Sequence, residues 1–95
     1  MLEREIEQKL TREIKRLGGL AYKFVSPGNS GVPDRLVILP GGRVIFAELK
    51  TDKGVLSGQQ KRQIARLQKL GCDVRVIYGP EGLREFLQDV IDDDF

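Results

Sequence analysis

Gly31-Val-Pro-Asp-Arg-Leu-Val-Ile-Leu-Pro-Gly-Gly-Arg-Val-Ile-Phe-Ala-Glu-Leu-Lys50 reads as a β-hairpin. Asp34–Leu39 and Arg43–Lys50 are rich in β-branched and apolar residues, and the breaker cluster Pro40-Gly41-Gly42 parts them. A three-residue loop sets Leu39 across from Arg43, and counting outward brings Asp34 opposite Glu48. Opposed side chains of an antiparallel pair have Cβ atoms about 5 Å apart, so two acids share one spot. Glu48 and Lys50, two residues apart on one strand, point to the same side. Facing carboxylates repel unless a cation sits between them, and hard oxygen ligands suit Mg²⁺ or Mn²⁺. An ammonium at such a site can orient a water or stabilise charge on a phosphate, the equipment of metal-assisted phosphodiester cleavage. The plainer alternative is a solvated hairpin face whose acids are offset by Lys50 and Arg35.

Upstream, Leu2, Ile6, Leu10, Ile14 and Leu17 recur at helical intervals and predict an amphipathic helix over residues 2–17, stopped by Gly18-Gly19. Glu3 and Glu7 lie one turn apart on one flank of its apolar stripe. Acids early in a helix favour its dipole, which accounts for Glu3 and Glu5 without any chemistry. Leu20–Val25 is a short strand in which Tyr22 and Phe24 share a face and are expected in the core, Tyr22 towards a polar rim. Ser26-Pro27-Gly28-Asn29-Ser30-Gly31 is a polar loop, either a plain connector or a segment lying against a phosphate backbone.

Downstream, the loop Thr51–Leu56 leads to Ser57-Gly58-Gln59-Gln60, a capping box in which Ser57 caps a helix and Gln60 reaches back to it. That helix runs to about Leu70, with Ile64, Leu67 and Leu70 as its buried side and Ala65 alongside. Val74–Tyr78 is a fourth strand, and a helix joining the third strand to it makes those two parallel neighbours. Gly79-Pro80 opens a last helix that packs through Leu83, Phe86, Leu87, Val90 and Ile91. Residues 92–95 read as a flexible acidic tail. The order α-β-β-β-α-β-α predicts an α/β fold, a mixed four-stranded sheet flanked by helices.

Ninety-five residues make one domain, 1–95. No apolar run approaches the length of a membrane span, and the charged amino terminus is not a signal peptide. Cys72 is alone, which excludes an intrachain disulfide and fits a reducing cytoplasm. With no histidine in the chain there is no Ser-His-Asp triad, and a Cys/His zinc site has too few ligands. Acid chemistry must come from Asp and Glu. The formal charge of +2 is mild, and leaving out Asp92, Asp93 and Asp94 would raise it to +5. Basic groups cluster at Arg12, Lys15 and Arg16 and at Lys61, Arg62, Arg66 and Lys69, serving either as phosphate contacts or as solvated faces. The candidates for contact with nucleic acid are Ser30, Arg35, Lys53, Lys61 and Arg62.

Pro33-Asp34, followed after thirteen intervening residues by Glu48-Leu49-Lys50, resembles the signature of PD-(D/E)XK nucleases. With Gly31-Val-Pro-Asp-Arg-Leu, Phe46-Ala-Glu-Leu-Lys, Gly54 and Gln60 in order, the chain is similar to the VRR-NUC branch, the virus-type replication and repair nuclease domain. The resemblance implies a restriction-endonuclease-like core and a Mg²⁺- or Mn²⁺-dependent DNA endonuclease. It implies Asp34 and Glu48 as side-chain metal ligands, the Leu49 carbonyl as a further one, and a first-helix glutamate, Glu7 by position with Glu3 as the alternative. Lys50 would activate the water, and Gln60 would stand near the metal. It implies branched DNA, four-way junctions above all, cut by a homodimer. The competing readings are a non-catalytic DNA-binding module of the same fold, and a flap or nicking nuclease with a different substrate.

Overall fold

Apolar residues at helical and alternating spacing sort this chain into elements that share one core. The computed structural model describes residues 1–94. Helix α1 (Glu3–Arg16) precedes strands β1 (Leu20–Lys23), β2 (Arg35–Leu39) and β3 (Arg43–Lys50). Helix α2 (Gly58–Lys69), strand β4 (Asp73–Tyr78) and helix α3 (Gly79–Asp94) follow. The sheet order is β1-β2-β3-β4, antiparallel except for the parallel pair β3/β4 that α2 connects. This is the predicted α/β topology. Leu39 pairs with Arg43 as counted from the loop, and the last ladder pair is Arg35 with Ala47.

Ile6, Leu10 and Ile14 of α1 and Leu83, Phe86 and Val90 of α3 meet Val37, Leu39, Ile45, Ala47, Leu49 and Ile77 on one side of the sheet. Each of these side chains other than Ala47 contributes about 1.5–3 kcal/mol when fully buried, so this face holds most of the apolar stabilisation. On the other side α2 packs against β4 and buries Ile64, Gln60 at its start reaches Glu48 on β3, and Phe24 lies against Phe46.

Several expectations shift. Strand β1 ends at Lys23, and Tyr22, expected in the core, is 55% exposed because α1 and α3 cover only the opposite face. Phe24 is half-buried, edge-on to Phe46 with centroids 5.5 Å apart. Leu70, expected on the buried side of α2, is 81% exposed, and Ile64 is the residue that α2 buries. Residues 92–94 continue α3, and Asp93 approaches Arg43 at 3.5 Å. Phe95, the end of the expected tail, lies outside the described residues.

Candidate active site

Asp34 stands one residue before β2, held on both sides by backbone. Its carbonyl accepts from Phe24 N (2.9 Å) and its Oδ2 from Leu49 N (2.9 Å). One step beyond the Arg35–Ala47 pair, it lies beside Glu48, as the hairpin count requires. Glu48 is 1% exposed, an unusual position for a carboxylate. Its Oε2 accepts from Gln60 Nε2 at 3.1 Å, while Oε1 is buried and, with both acids ionised, has no hydrogen-bond partner. Burial, and then the charge of Asp34 and a hydrogen bond shared with it, push the Glu48 carboxyl up from 4.5 to about 8. Lys50 opposes this rise and Glu3 adds to it. At neutral pH the pair therefore holds a proton between two acids, or else needs a cation.

Lys50 is half-buried at the end of β3, and Gly54 closes over its stem: a Cβ on Gly54 would stand 3.1 Å from Lys50 Cβ and 3.2 Å from Cδ. Gln60 is held by the capping box, its Oε1 accepting from Ser57 N (2.8 Å) and its own N donating to Ser57 Oγ (3.1 Å). Since the oxygen is taken, the NH₂ end of the amide faces Glu48. One side chain thus completes the helix cap and also donates to Glu48.

The first-helix acids separate. Glu7 is bound by Arg35, whose Nε donates to Glu7 Oε1 at 3.0 Å and whose Nη2 makes a second, shorter contact; Arg35 Nη1 also donates to Ala21 O (3.0 Å). Glu7 therefore serves a strand-to-helix ion pair, and Glu3 is the acid whose charge Glu48 feels. Arg35, expected to face nucleic acid, has a side chain that is 18% exposed and a guanidinium engaged with Glu7 and the Ala21 carbonyl. Ser30 offers its carbonyl to Gln63 Nε2 (3.3 Å), tying the loop to α2. Lys53, in the loop after β3, and Lys61 and Arg62, in the first half of α2, are exposed.

Among the described residues no three His, Cys, Asp or Glu side chains form a metal-binding group. Two carboxylates are enough for the cation that the pair suits. Mg²⁺ keeps several waters and is commonly bound through one or two carboxylates plus substrate phosphates. The orphaned Glu48 Oε1 is the lone pair such an ion would satisfy. A separate groove of about 510 Å³ runs along the β4 edge, lined by Arg75, Tyr78, Glu81, Glu85 and Asp89 among others but by none of Asp34, Glu48 or Lys50. Its three acids make it a poor seat for a phosphate backbone.

The close approach of Gly31 to α2 escapes a reading of the sequence. A Cβ there would stand 2.6 Å from the Gln59 carbonyl carbon, at a φ of +89°. A glycine three residues before Asp34 is the available signal.

The sequence pattern of the VRR-NUC domain matches residues 2–81, a span that contains every one of these site residues. The chain belongs to the VRR-NUC family. It is 51% identical over 75 residues, 79% of this chain and 81% of the relative, to the "Putative nuclease p44" of Acyrthosiphon pisum secondary endosymbiont phage 1. A solved VRR-NUC domain shares 30% identity over 98% of this chain and 97% of its own, with a TM-score of 0.81. A second solved VRR-NUC domain protein, 23% identical, covers 97% of this chain and 89% of its own with a TM-score of 0.72, a likeness of fold. This VRR-NUC chain is thereby placed among nuclease domains. No described helix is long and apolar enough to cross a membrane.

Proposed function

We propose that this VRR-NUC domain is a Mg²⁺- or Mn²⁺-dependent DNA endonuclease that hydrolyses phosphodiester bonds in branched DNA, resolving four-way junctions as a homodimer in the cytoplasm of the cell in which it is made. The observation that carries the chemistry is the buried, unpartnered Glu48 Oε1 beside Asp34. Asp34 and Glu48 would hold the ion, with the Leu49 carbonyl and Glu3 as the further protein groups available to it. The bound ion supplies Lewis acidity towards the phosphate and lowers the pKa of a coordinated water.

This chain's own groups do the rest. Leu49 N–H fixes Asp34, and Gln60 fixes Glu48, so neither carboxylate has to be reoriented when substrate arrives. Lys50 Nζ, its stem packed against Gly54, orients the attacking water and stabilises charge that builds on the phosphate. Lys53, Lys61 and Arg62 take flanking phosphates, and the Ser30 loop borders the strand being cut. Homodimerisation belongs to the same proposal, since paired nicks across a two-fold junction need two sites.

The test is incubation with labelled four-way junction, flap, duplex and RNA in Mg²⁺, Mn²⁺ or EDTA, repeated with Asp34→Ala and Lys50→Ala. Junction cutting that EDTA and both substitutions abolish supports the proposal. Binding without metal-dependent cutting marks a DNA-binding module, and preference for flaps or single nicks marks a different nuclease. Light scattering on the eluting protein reads the dimer.

A further inference from the structure

The first turn of α2 touches both acid-bearing segments. Gln60 donates to Glu48 Oε2 at 3.1 Å, and the Gln59 backbone lies so close to Gly31 that no side chain fits between them. Gln63 adds its bond to the Ser30 carbonyl on the same approach to Asp34. A carboxamide can present either end to a carboxylate, and only the nitrogen end donates. Ser57 makes that choice: its backbone N–H occupies Gln60 Oε1 at 2.8 Å, and its hydroxyl accepts from Gln60 N at 3.1 Å.

We infer that Ser57 is a positioning residue of the acid pair. By capping α2 and holding Gln60 Oε1, it aims the Gln60 amide hydrogens at Glu48 Oε2 and keeps Oε1 as the free oxygen for a divalent ion. The inference rests on the reading of Asp34 and Glu48 as a metal centre.

Three variants isolate it. Ser57→Ala keeps the backbone N–H but removes the hydroxyl whose bond to Gln60 N holds the turn in place for it, and Ser57→Thr keeps a hydroxyl. Gln60→Glu retains an acceptor for Ser57 N–H, so the reciprocal cap survives while the donor towards Glu48 is lost. The two Ser57 variants are read by the Gln60 side-chain NH₂ signals in ¹⁵N spectra of the metal-free protein, and all three by binding of Mn²⁺ alone and by kcat and KM on junction DNA. Ser57→Ala should move the NH₂ signals towards those of a free carboxamide and lower Mn²⁺ affinity and kcat by about tenfold at unchanged KM. Ser57→Thr should restore all three. Gln60→Glu sets a third carboxylate against Glu48, so it should lower the melting temperature of the metal-free protein at neutral pH, and added Mn²⁺ should restore it. A melting temperature indifferent to the substitution would mean that the side chain at position 60 is not aimed at Glu48. A Ser57→Ala protein whose melting temperature falls while the NH₂ signals, Mn²⁺ affinity and kcat stay native would reduce Ser57 to a helix cap and overturn the inference. If the native protein neither binds Mn²⁺ nor cuts DNA, the proposed function fails and the aim towards a metal fails with it. The NH₂ signals of the metal-free variants still decide separately whether Ser57 holds Gln60.

Discussion

On the side of the sheet away from α1 and α3, Leu20, Ile38 and Val44 form one row across β1, β2 and β3, and Glu48 lies two rows further along the same surface. Leu20 and Val44 are 45% and 43% exposed, whereas Glu48 is 1% exposed. Hydrophobicity alone would reverse these positions. The difference lies in what covers each end: the apolar row has no helix above it, while Glu48 sits beneath Gln60 of α2. An element laid over one end of a sheet thus converts an ordinary strand glutamate into a buried carboxyl that holds its proton up to about pH 8.

Breaking the acid end should cost most. Asp34→Ala and Glu48→Ala are each expected to lower metal-dependent cleavage by about 10³-fold or more, measured as initial rates on junction DNA. An unchanged rate in either would remove the acid end from the chemistry.

The covered face comes next. Ile45→Ala, on β3 against both helices, should destabilise by about 2–5 kcal/mol in urea unfolding, since Ile45 is fully buried.

Protonation sharpens the comparison further. The Glu48 carboxyl rises from 4.5 to about 8 on folding, so the folded state favours its protonated form. The stabilisation is complete below the unfolded value and is lost as pH climbs through the folded one. Metal-free protein should therefore lose on the order of a few kcal/mol between pH 4.5 and 8, and Glu48→Gln should flatten that slope. A slope identical in the variant would place the titration elsewhere.

Smaller is the separation of the first-helix acids. Glu7→Gln should cost about 1–3 kcal/mol of stability through loss of the Arg35 ion pair with the Mn²⁺ affinity little changed, and Glu3→Gln should do the reverse. Least of all, Tyr22→Thr at the bare end should change stability by about 0.5 kcal/mol or less.

Much of this molecule is legible in its sequence. The hairpin register follows from Pro40-Gly41-Gly42 and the two apolar runs, and it brings Asp34 and Glu48 together by counting alone. The capping box is equally local, since Ser57 and Gln60 are three residues apart. Spacing cannot tell Glu7 from Glu3, because both lie on one flank of α1 and only the docking of that helix brings Arg35 to Glu7. Tyr22 and Leu70 depart from their expected places for a related reason. Periodicity says that a face is apolar, but it cannot say whether another element arrives to cover it.

By itself the sequence determined the order of elements, the strand register and the meeting of two acids, because each depends on spacing along a short stretch of chain. Only the tertiary structure decided which glutamate of α1 answers to Glu48, which apolar face stays bare, and that Glu48 is sealed from water with one oxygen unpartnered. Desolvation depends on every element that packs around a group, and no local pattern contains that information.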